Sequence, residues 1–469
     1  MSEEITMTID GVAATTEATF DVVNPATGAP EATAPDCTPQ QLDAAMDSAA
    51  KAYRDWRSDE GRRRELLRQC ADALMAAAED VAPILTLEQG KPLGEATFEV
   101  YGAAIWFQYY ADLEIPRQVI QDDDAAFVEV VQRPLGVVAG ITPWNFPLVL
   151  ASWKIAPALL AGNTMVLKPS PFTPRATLKV GEILRDVLPP GVLNVVSGKD
   201  PLGASMTSHP VPRKISFTGS VGTGKKVAAA AAPDLKRTTL ELGGNDPAIV
   251  LDDVDVDTVV EKLFWGAFQN NGQVCSAIKR VYVPEALHDR IVDGLADLAR
   301  SVKVGAGTEA DVQLGPINNR PQYERVSELV SDALASGGVA AAGGKPMEGD
   351  GYFFEPTILT GLSDGSRIVD EEQFGPALPV ITYRDVDEVV ERANATHYGL
   401  SGSVWGADVE RATQIAENLE CGTAWVNTHL ALAPHQPFGG AKWSGIGVEN
   451  GTWGLLGFSE PQVVHRSKG

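Results

Sequence analysis

One cysteine, Cys275 in the stretch NNGQVCSAIKR, stands where chemistry is possible. It comes after Gly272 and Gln273 and is followed by two small residues, Ser276 and Ala277. A thiolate in such a stretch could attack a carbonyl carbon as a nucleophile. A free cysteine is more often a small buried apolar residue that does no chemistry. The spacing alone leaves both interpretations open.

A lone acid could act as a general base beside such a nucleophile. Glu241 lies between two leucines and ahead of two glycines in LELGGNDP. Apolar surroundings disfavour the charged carboxylate and raise its pKa toward a value useful for proton transfer. The alternative is an ordinary surface glutamate at the end of a strand, which is the commoner place for this residue.

Two further polar residues stand beside apolar runs. Asn145 lies between two prolines in ITPWNFP, where a rigid loop could present its amide to a developing oxyanion. An asparagine in a turn also often bonds its own backbone. Lys168 directly follows an apolar run in LKPS and could meet a ribose hydroxyl or a phosphate, although lysines at strand ends commonly face water.

The stretch TGSVGTGKK comes within one residue of a phosphate-binding loop. Gly219, Gly224 and Lys225 fit the pattern G-x-x-x-x-G-K, but Lys226 stands where a Ser or Thr must bind Mg²⁺. The mismatch disfavours a nucleoside triphosphatase. It favours a dinucleotide phosphate site at a helix N-terminus, with a simple strand-to-helix turn as the alternative.

Apolar runs that alternate with helical segments must position these residues. The pattern is helical over residues 39–89, and AFVEVVQRPLGVVAGI has strand propensity in two halves. Further short runs end in small or polar residues: NTMVLKPS, GVLNVVSG, KISFTGS and DPAIVLDD. This rhythm predicts βαβ units in an open parallel sheet, with ligands at the carboxyl ends of the strands.

A second series of elements follows Cys275 and predicts another domain. Its expected strands are RVYVPE, PTILTG and ALPVITYRD, and its expected helix is YERVSELVSDALASGG. We expect the boundary between the two series near Gly243 and Gly244.

Length and charge limit the function classes. A chain of 469 residues predicts two or three domains. Its 62 acidic and 38 basic residues give a formal net charge of -24. Such a surface repels nucleic acid and anionic membranes, so neither is expected as a partner. It is also typical of adaptation to high salt, which screens self-repulsion.

The cysteines and histidines predict neither a disulfide framework nor a metal site. The four cysteines are widely scattered: Cys37, Cys70, Cys275 and Cys421. His429 and His435 lie too far apart in a loop to suggest a metal, and we expect polar lining or surface positions for them. The N-terminal MSEEITMTID lacks an apolar signal segment, and prolines interrupt the uncharged run 134–153, so a soluble cytoplasmic protein is expected.

A series of motifs resembles the aldehyde dehydrogenase superfamily over essentially the whole chain: PWNFP, LKPS, FTGS, LELGG, GQVCSA, EEQFGP and PFGGAKWSG. The resemblance implies that Cys275 attacks an aldehyde, while the Asn145 side chain and the Cys275 backbone N–H hold the oxyanion. It implies that Glu241 activates the water that hydrolyses the resulting thioester. Lys168 completes the implied catalytic set.

The same resemblance implies a dinucleotide cofactor. Lys168 and Glu372 would bind ribose hydroxyls, and Phe374 would lie beside the nicotinamide ribose. The implied cofactor-binding residues are Ile141, Thr142, Pro143, Trp144, Lys168, Ser170, Gly203, Phe217, Thr218, Gly219, Ser220, Leu242, Glu372 and Phe374. Many NAD-preferring members carry an acid three places after the lysine, where this chain has Pro171. We therefore expect NAD by a narrow preference, with NADP open.

For the substrate, the resemblance implies a largely apolar tunnel. Its implied lining is Phe146, Leu150, Trp153, Leu432, His435 and Phe438. Because no arginine among these could clamp a second carboxylate, an aliphatic or aromatic aldehyde is expected over a semialdehyde acid.

The implied fold class is α/β, with three parts. An open parallel-sheet (Rossmann-like) cofactor domain would span 1–112 and 134–243, and an α/β catalytic domain would span 244–443. A small β oligomerisation domain would use 113–133 and 444–469 in a homodimer or homotetramer. The alternatives are a CoA-acylating aldehyde dehydrogenase, whose known members lack the base glutamate, and a catalytically silent binding protein on the same fold.

Overall fold

Two sheets of mainly parallel strands, covered by helices, make up most of the chain. The computed structural model describes residues 5–469. The helices are α1 (Pro39–Trp56), α2 (Glu60–Ala76), α3 (Ala78–Gln89), α4 (Leu93–Asp112), α5 (Pro147–Leu160), α6 (Arg175–Arg185), α7 (Asp200–Ser208), α8 (Val221–Ala231), α9 (Val256–Phe268), α10 (His288–Ser301), α11 (Arg320–Ala335), α12 (Arg367–Asp370), α13 (Val386–Asn394), α14 (Val409–Ala416) and α15 (Gly451–Leu456).

The strands are β1 (Met7–Ile9), β2 (Val12–Ala14), β3 (Thr19–Asn24), β4 (Ala29–Pro35), β5 (Gln118–Asp122), β6 (Ala126–Pro134), β7 (Val137–Ile141), β8 (Thr164–Lys168), β9 (Leu193–Val195), β10 (Lys214–Thr218), β11 (Arg237–Glu241), β12 (Asp246–Val250), β13 (Ile278–Pro284), β14 (Val339–Ala342), β15 (Thr357–Thr360), β16 (Ala377–Tyr383), β17 (Ser401–Trp405), β18 (Thr423–Val426), β19 (Gly445–Ile446) and β20 (Ser459–Ser467). The strands and the helix expected from the sequence are confirmed as β6 to β10, β12, β13, β15, β16 and α11.

The first sheet has the strand order β19-β11-β10-β7-β8-β9-β1-β2. The strands from β11 to β9 are parallel, as the sequence pattern predicts. Their register sets Thr218 opposite Glu241 and Ile141 opposite Lys168. Four neighbouring strands therefore end in expected site residues at one edge of the sheet, which is where ligands bind in open α/β sheets.

The second sheet has the order β14-β15-β16-β13-β12-β17-β18 and is parallel except at β14. Its strand β12 begins just after Gly243 and Gly244, which the sequence predicts as the boundary. Cys275 lies in the short segment before β13. The nucleophile candidate thus stands at the amino end of this sheet, whereas Glu241 stands at the carboxyl end of the first.

A third, antiparallel sheet has the order β20-β6-β5. Strand β20 pairs with β6 over their full length, and apolar residues on its surface are exposed, including Val119, Ile120, Val463 and Val464. The expected oligomerisation segment 444–469 is not uniform, because β19 pairs instead with β11 in the first sheet. The segment contributes to this small sheet only from Ser459 onward.

The helical pattern over 39–89 forms three helices, and side-chain caps mark the starts of the first two. Thr38 and Gln41 form a capping box at the start of α1, and Asp59 accepts the Arg62 N–H at the start of α2. The uncharged run 134–153 forms β7, a loop and the start of α5, as expected. Within residues 5–469, no helix is both long and apolar enough to cross a membrane.

Candidate active site

A cavity of about 180 Å³ lies where the carboxyl edge of the first sheet meets the segment before β13. Its lining includes these expected residues: Pro143, Trp144, Asn145, Leu150, Thr218, Gly219, Ser220, Leu242, Cys275, Glu372 and Phe374. Gly243, Gln322 and Arg325 also line it and were not predicted. A larger surface cavity of about 540 Å³ shares none of these residues. The structure therefore brings Cys275, Asn145 and part of the cofactor set to one cavity. The expected catalytic and cofactor residues outside its lining are Glu241, Ile141, Thr142, Lys168, Ser170, Gly203 and Phe217.

The backbone conformation just before Cys275 explains why the sequence there is NNG. Asn270, Asn271 and Gly272 have φ values of 49°, 59° and 73°. This left-handed conformation is tolerated by asparagine and glycine and disfavoured in other residues. A Cβ on Gly272 would also overlap the Gly375 carbonyl oxygen. The three residues thus form the tight turn that leads the chain to Cys275.

Cys275 is half-buried and opens onto the cavity. Burial raises the pKa of its thiol to about 12, Lys279 opposes that rise, and Asp246, Glu372 and Glu241 add to it. Its backbone N–H donates to no acceptor among residues 5–469. The thiol is therefore protonated at neutral pH in this structure, and a free N–H lies beside it.

Glu241 is buried, and neither of its carboxylate oxygens has a hydrogen-bond partner within the described residues. Burial raises its pKa well above the usual range, as its apolar neighbours predict, and Glu449 adds to the rise. Lys154 acts in the opposite direction. A carboxylate without partners and with a raised pKa is suited to accept a proton from water.

A buried ion pair that the sequence analysis missed lies beside Glu241. Lys154 Nζ is 2.8 Å from Glu449 Oε1 and donates to Thr218 Oγ1 over 2.8 Å. Ser216 Oγ donates to the same Glu449 oxygen over 3.1 Å. A lysine within the apolar helix PLVLASWKIAPALL could have signalled a buried pair, because such a charge needs a partner. The two members of the pair act on the pKa of Glu241 in opposite directions.

Asn145 is held on both its side chain and its backbone. Its Nδ2 donates to the Gln273 carbonyl oxygen over 2.9 Å, which leaves its second amide hydrogen free. Its own carbonyl oxygen accepts from Lys91 Nζ at 2.9 Å and from Asn270 Nδ2 at 3.1 Å. Lys91 is itself buried in an ion pair of 2.6 Å with Glu99. These contacts preorganise the amide beside the loop that carries Cys275.

His429, expected as polar lining or surface, is half-buried and also contacts this loop. Its Nε2 lies 2.7 Å from the Ser276 carbonyl oxygen, and its Nδ1 lies 3.0 Å from Ser403 Oγ. Burial lowers its pKa to about 3, so the ring is neutral. A carbonyl only accepts, which places the single ring proton on Nε2. Among residues 5–469, no group of three or more His, Cys, Asp or Glu residues could hold a metal ion.

The expected ribose-binding lysine lies at the end of β8. Burial lowers the pKa of Lys168 to about 8, while Asp200 and Asp36 act to raise it. Its Nζ donates only to the Pro169 carbonyl oxygen, at 3.1 Å, among the described residues. Gly203 lies beside its side chain. The ammonium therefore has donor capacity left for a ribose hydroxyl.

The TGSVGTGKK stretch forms a strand end followed by a helix start. Thr218 ends β10, and the Ser220 side chain caps α8 by accepting the Thr223 N–H at 3.3 Å. Phe217 is buried in the core beneath this turn, while Gly219 and Ser220 line the cavity. A helix start with free N–H groups suits a pyrophosphate without Mg²⁺. This geometry is consistent with the expected role of the turn in binding a dinucleotide.

Glu372 approaches the cavity from the segment before β16. Its Oε1 accepts the Gly244 N–H at 3.1 Å, and a Cβ on Gly243 would overlap Oε2. A side chain at Gly243 would therefore displace the carboxylate from this position. Phe374 has a φ of 49°, which is strained for an aromatic residue, and Gln322 Nε2 donates to its carbonyl oxygen at 3.1 Å.

Other expected cofactor residues complete the same region. Trp144 meets Phe374 edge-on with ring centroids 5.3 Å apart. The Thr142 N–H donates to the Lys168 carbonyl oxygen at 3.1 Å, which ties the loop after β7 to β8. Ser170 is buried beyond the end of β8. A carboxylate, a buried ammonium and a helix start on one edge match the polar groups of a dinucleotide.

Aromatic rings dominate the expected substrate region. Trp153 stacks on Trp106 at 5.5 Å between centroids and meets Phe438 edge-on at 5.5 Å. Leu150 is buried and lines the same cavity as Cys275. Trp106, on α4, was not predicted, because α4 is distant in sequence from every quoted motif.

The remaining substrate candidates differ in exposure. Phe146 is half-buried, and Lys91 Nζ lies 3.8 Å from its ring centroid. Leu432 is half-buried and packs against the core that contains Trp153. His435 is exposed and does not line the cavity with Cys275. Of the six candidates, only Leu150 lines the cavity with Cys275. The other four apolar candidates lie in or against the same hydrophobic core, and they are Phe146, Trp153, Leu432 and Phe438.

Comparison with known proteins identifies the family. The sequence matches the aldehyde dehydrogenase family over residues 12–464. It is 38% identical to the chloroplastic betaine aldehyde dehydrogenase of Atriplex hortensis, over 92% of this chain and 90% of that protein. The NAD+ complex of aldehyde dehydrogenase from Bacillus cereus superposes with a TM-score of 0.97 at 36% identity, over 99% of this chain and 97% of that one. An E. coli NADP-dependent enzyme superposes with a TM-score of 0.96 at 36% identity, over 99% and 98%. The chain therefore belongs to the aldehyde dehydrogenase family.

Proposed function

We propose that this protein oxidises an aldehyde to a carboxylic acid with NAD or NADP, through a thioester on Cys275. The arrangement of three side chains supports this proposal. The half-buried Cys275 thiol, the fixed Asn145 amide and the unpaired Glu241 carboxylate lie around one junction between the two large sheets. Loss of aldehyde-dependent cofactor reduction in the Cys275→Ala variant is the direct test.

In the first half of the reaction, the Cys275 thiol gives its proton to solvent, and the resulting thiolate attacks the aldehyde carbon. A C–S bond forms, and the π pair of the carbonyl moves to its oxygen. The free Cys275 N–H and the second Asn145 amide hydrogen are the donors available for that oxyanion. Removing one such donor typically slows a reaction by about 10²–10³-fold.

A bound nicotinamide cofactor would supply the acceptor for the hydride that leaves the carbon attached to Cys275. This chain's part is to hold the cofactor in reach of Cys275. In this proposal Glu372 and Lys168 bind ribose hydroxyls, and the N-terminus of α8 binds the pyrophosphate; the carboxylate, the lysine donor capacity and the helix start support these roles. Phe374, on the same cavity as Cys275, bounds the space for the reacting ring.

In the second half, water hydrolyses the thioester. Glu241 takes a proton from the water as its oxygen attacks the acyl carbon, and the thiolate leaves. Both Glu241 oxygens are free for this task in the described structure. The raised pKa of Glu241 makes it a stronger base than an exposed glutamate.

We propose NAD as the preferred cofactor, by a narrow margin. Pro171 supplies no carboxylate to repel a 2′-phosphate. Asp36 and Asp200, however, lie close enough to act on the pKa of Lys168 and bring negative charge to that end of the cleft. The solved structures similar to this chain include both an NAD+ complex and an NADP-dependent enzyme.

We expect benzaldehyde to be oxidised with a higher kcat/KM than succinate semialdehyde, by about tenfold or more. Trp153, Trp106 and Phe438 offer apolar ring surface, and burying a carboxylate there without a cation is costly. Arg325 lines the cavity but is already paired with Glu371. Initial rates with each aldehyde, measured with NAD and with NADP, give the ratios. Comparable kcat/KM values for the two aldehydes would show that the tunnel does not select against acids.

We propose that the protein is a homodimer or homotetramer, with the β20-β6-β5 sheet at the interface. Val119, Ile120, Val463 and Val464 are exposed on this sheet, with exposed fractions of 54%, 54%, 61% and 40%. Light scattering should give a mass of two or four chains, and Val463→Asp should lower it without lowering cofactor binding per chain. A native mass of one chain would exclude the proposal.

A further inference from the structure

Lys279, the second residue of β13, lies directly behind the loop that carries Cys275. Its Nζ is buried and contacts three carbonyl oxygens of that loop. The distances are 2.7 Å to Val274, 3.2 Å to Cys275 and 3.4 Å to Ala277. An ammonium has three N–H donors, whereas a neutral amine has two, so three carbonyl acceptors match the charged form.

This buried cation has no anion in contact with it. Within residues 5–469, no carboxylate forms an ion pair with Lys279. The carboxyl groups that act on Cys275 are Asp246, Glu372 and Glu241. Asp246 bonds Ser401, Glu372 bonds the Gly244 N–H, and Glu241 has no partner among the described residues. Lys279 also lowers the pKa of Asp246, Glu372 and the neutral His429 without forming an ion pair. Of the groups that Lys279 acts on, the Cys275 thiol is the one that gains a negative charge in the proposed reaction.

The contact with Val274 also fixes a backbone direction. All described peptide bonds are trans, so the Cys275 N–H points opposite to the Val274 carbonyl oxygen in their shared plane. Because Lys279 holds that oxygen, the N–H is turned away from Lys279. That N–H has no acceptor within the described chain, which leaves it free for an oxyanion.

We propose that Lys279 is a positioning residue for Cys275, whose ammonium charge stabilises the thiolate and whose hold on the Val274 carbonyl aims the Cys275 N–H. This inference rests on the proposed role of Cys275 as nucleophile. The proposed stabilisation of the thiolate depends on the positive charge of Lys279. Of the charged groups acting on Cys275, Lys279 alone favours the thiolate, whereas the three carboxylates oppose it.

The test is the pH dependence of Cys275 alkylation by iodoacetamide, followed by mass spectrometry of the peptide that contains Cys275. Lys279→Met removes the charge and the donors, and Lys279→Gln removes the charge but keeps donors for the carbonyls. In both variants, alkylation should be displaced to higher pH and slowed about tenfold or more at neutral pH, because one pKa unit is a tenfold change in thiolate. Lys279→Arg, which keeps the charge, should stay near the native profile.

Lys214→Met is the matched control for the loss of a buried lysine. Lys214 is fully buried in β10 and donates to Thr239 Oγ1 at 2.5 Å, so its loss tests stability but not the Cys275 loop. It should leave the alkylation profile unchanged. If the Lys279→Met variant does not fold, the alkylation profile of Lys279→Gln alone tests the inference.

Two results would overturn the inference. A native profile in Lys279→Gln would show that charge is not needed, even if Lys279→Met were displaced. Native profiles in both variants would remove any role of Lys279 at the thiol. Alkylation needs neither aldehyde nor cofactor, so it is independent of turnover. Failure of the proposed function would instead appear as aldehyde oxidation by the Cys275→Ala variant.

Discussion

The Cys275→Ala variant should lose aldehyde-dependent cofactor reduction by at least roughly 10⁴-fold, because removal of a covalent nucleophile abolishes the intermediate that it forms. The fold should survive, since the half-buried side chain loses only its sulfur. Initial rates of reduction give the loss, and cofactor binding by fluorescence quenching should remain native.

Cys421→Ala is the matched control. Cys421 is also a half-buried free cysteine, and its Sγ contacts the Thr423 carbonyl oxygen at 3.2 Å, outside the cavity that Cys275 lines. This variant should keep native turnover. If Cys275→Ala turned over within tenfold of the native enzyme, a mechanism through a Cys275 thioester would be wrong.

The Glu241→Gln variant should release one burst of reduced cofactor, close to one per active site, and then nearly stop. Cys275, Asn145 and the cofactor residues remain, so hydride transfer proceeds once. Hydrolysis then lacks its base, which typically costs about 10²–10⁴-fold. Rapid-mixing absorbance resolves the burst from the steady rate. Equal losses in burst and steady rate would mean that Glu241 acts before the thioester forms.

The pH dependence of the native steady rate follows from the same residue. Burial raises the pKa of Glu241, so the carboxyl is protonated below that pKa and accepts no proton from water. Where hydrolysis limits the rate, turnover should therefore fall as the pH decreases. The Glu241→Gln variant should lack this inflection.

Glu88→Gln is a suitable control for these experiments. Glu88 is another buried glutamate, and burial raises its pKa to about 8, but it accepts the N–H groups of Arg175 and Ala176 at the start of α6. It is absent from the lining of the cavity that holds Cys275. The Glu88→Gln substitution should lower the stability of the protein, but it should not lower the steady rate relative to the burst.

Much of the sheet edge that carries the candidate site residues could be predicted from the sequence, because the patterns that indicate its strands are local. The apolar runs VVAGI, TMVLK and KISFT have the composition of buried parallel strands, and each ends beside a polar or small residue. The parallel register then brings Lys168, Thr218 and Glu241 to one edge without further information. The expected series of strands after Cys275 is confirmed for the same reason.

Contacts between residues far apart in the chain could not be predicted in this way. Lys154 and Glu449 are 295 positions apart, and Lys91 and Asn145 are 54 apart, so no periodicity links them. The two-residue strand β19 carries too little propensity to be recognised, and its pairing with β11 depends on tertiary packing. His429 reaches Ser276 across 153 positions, which is why it was expected only as lining or surface.

The central claim is that an acyl group becomes attached to Cys275 and that Glu241 is needed for its removal. The most direct measurement is mass spectrometry of the Glu241→Gln variant, quenched in acid after mixing with benzaldehyde and cofactor. A Cys275 thioester should appear as an adduct on the Cys275 peptide with the mass of the aldehyde less two hydrogens. The native enzyme under the same conditions should carry far less of it. An unmodified Cys275 peptide after the burst, or an adduct on another cysteine, would exclude a Cys275 thioester.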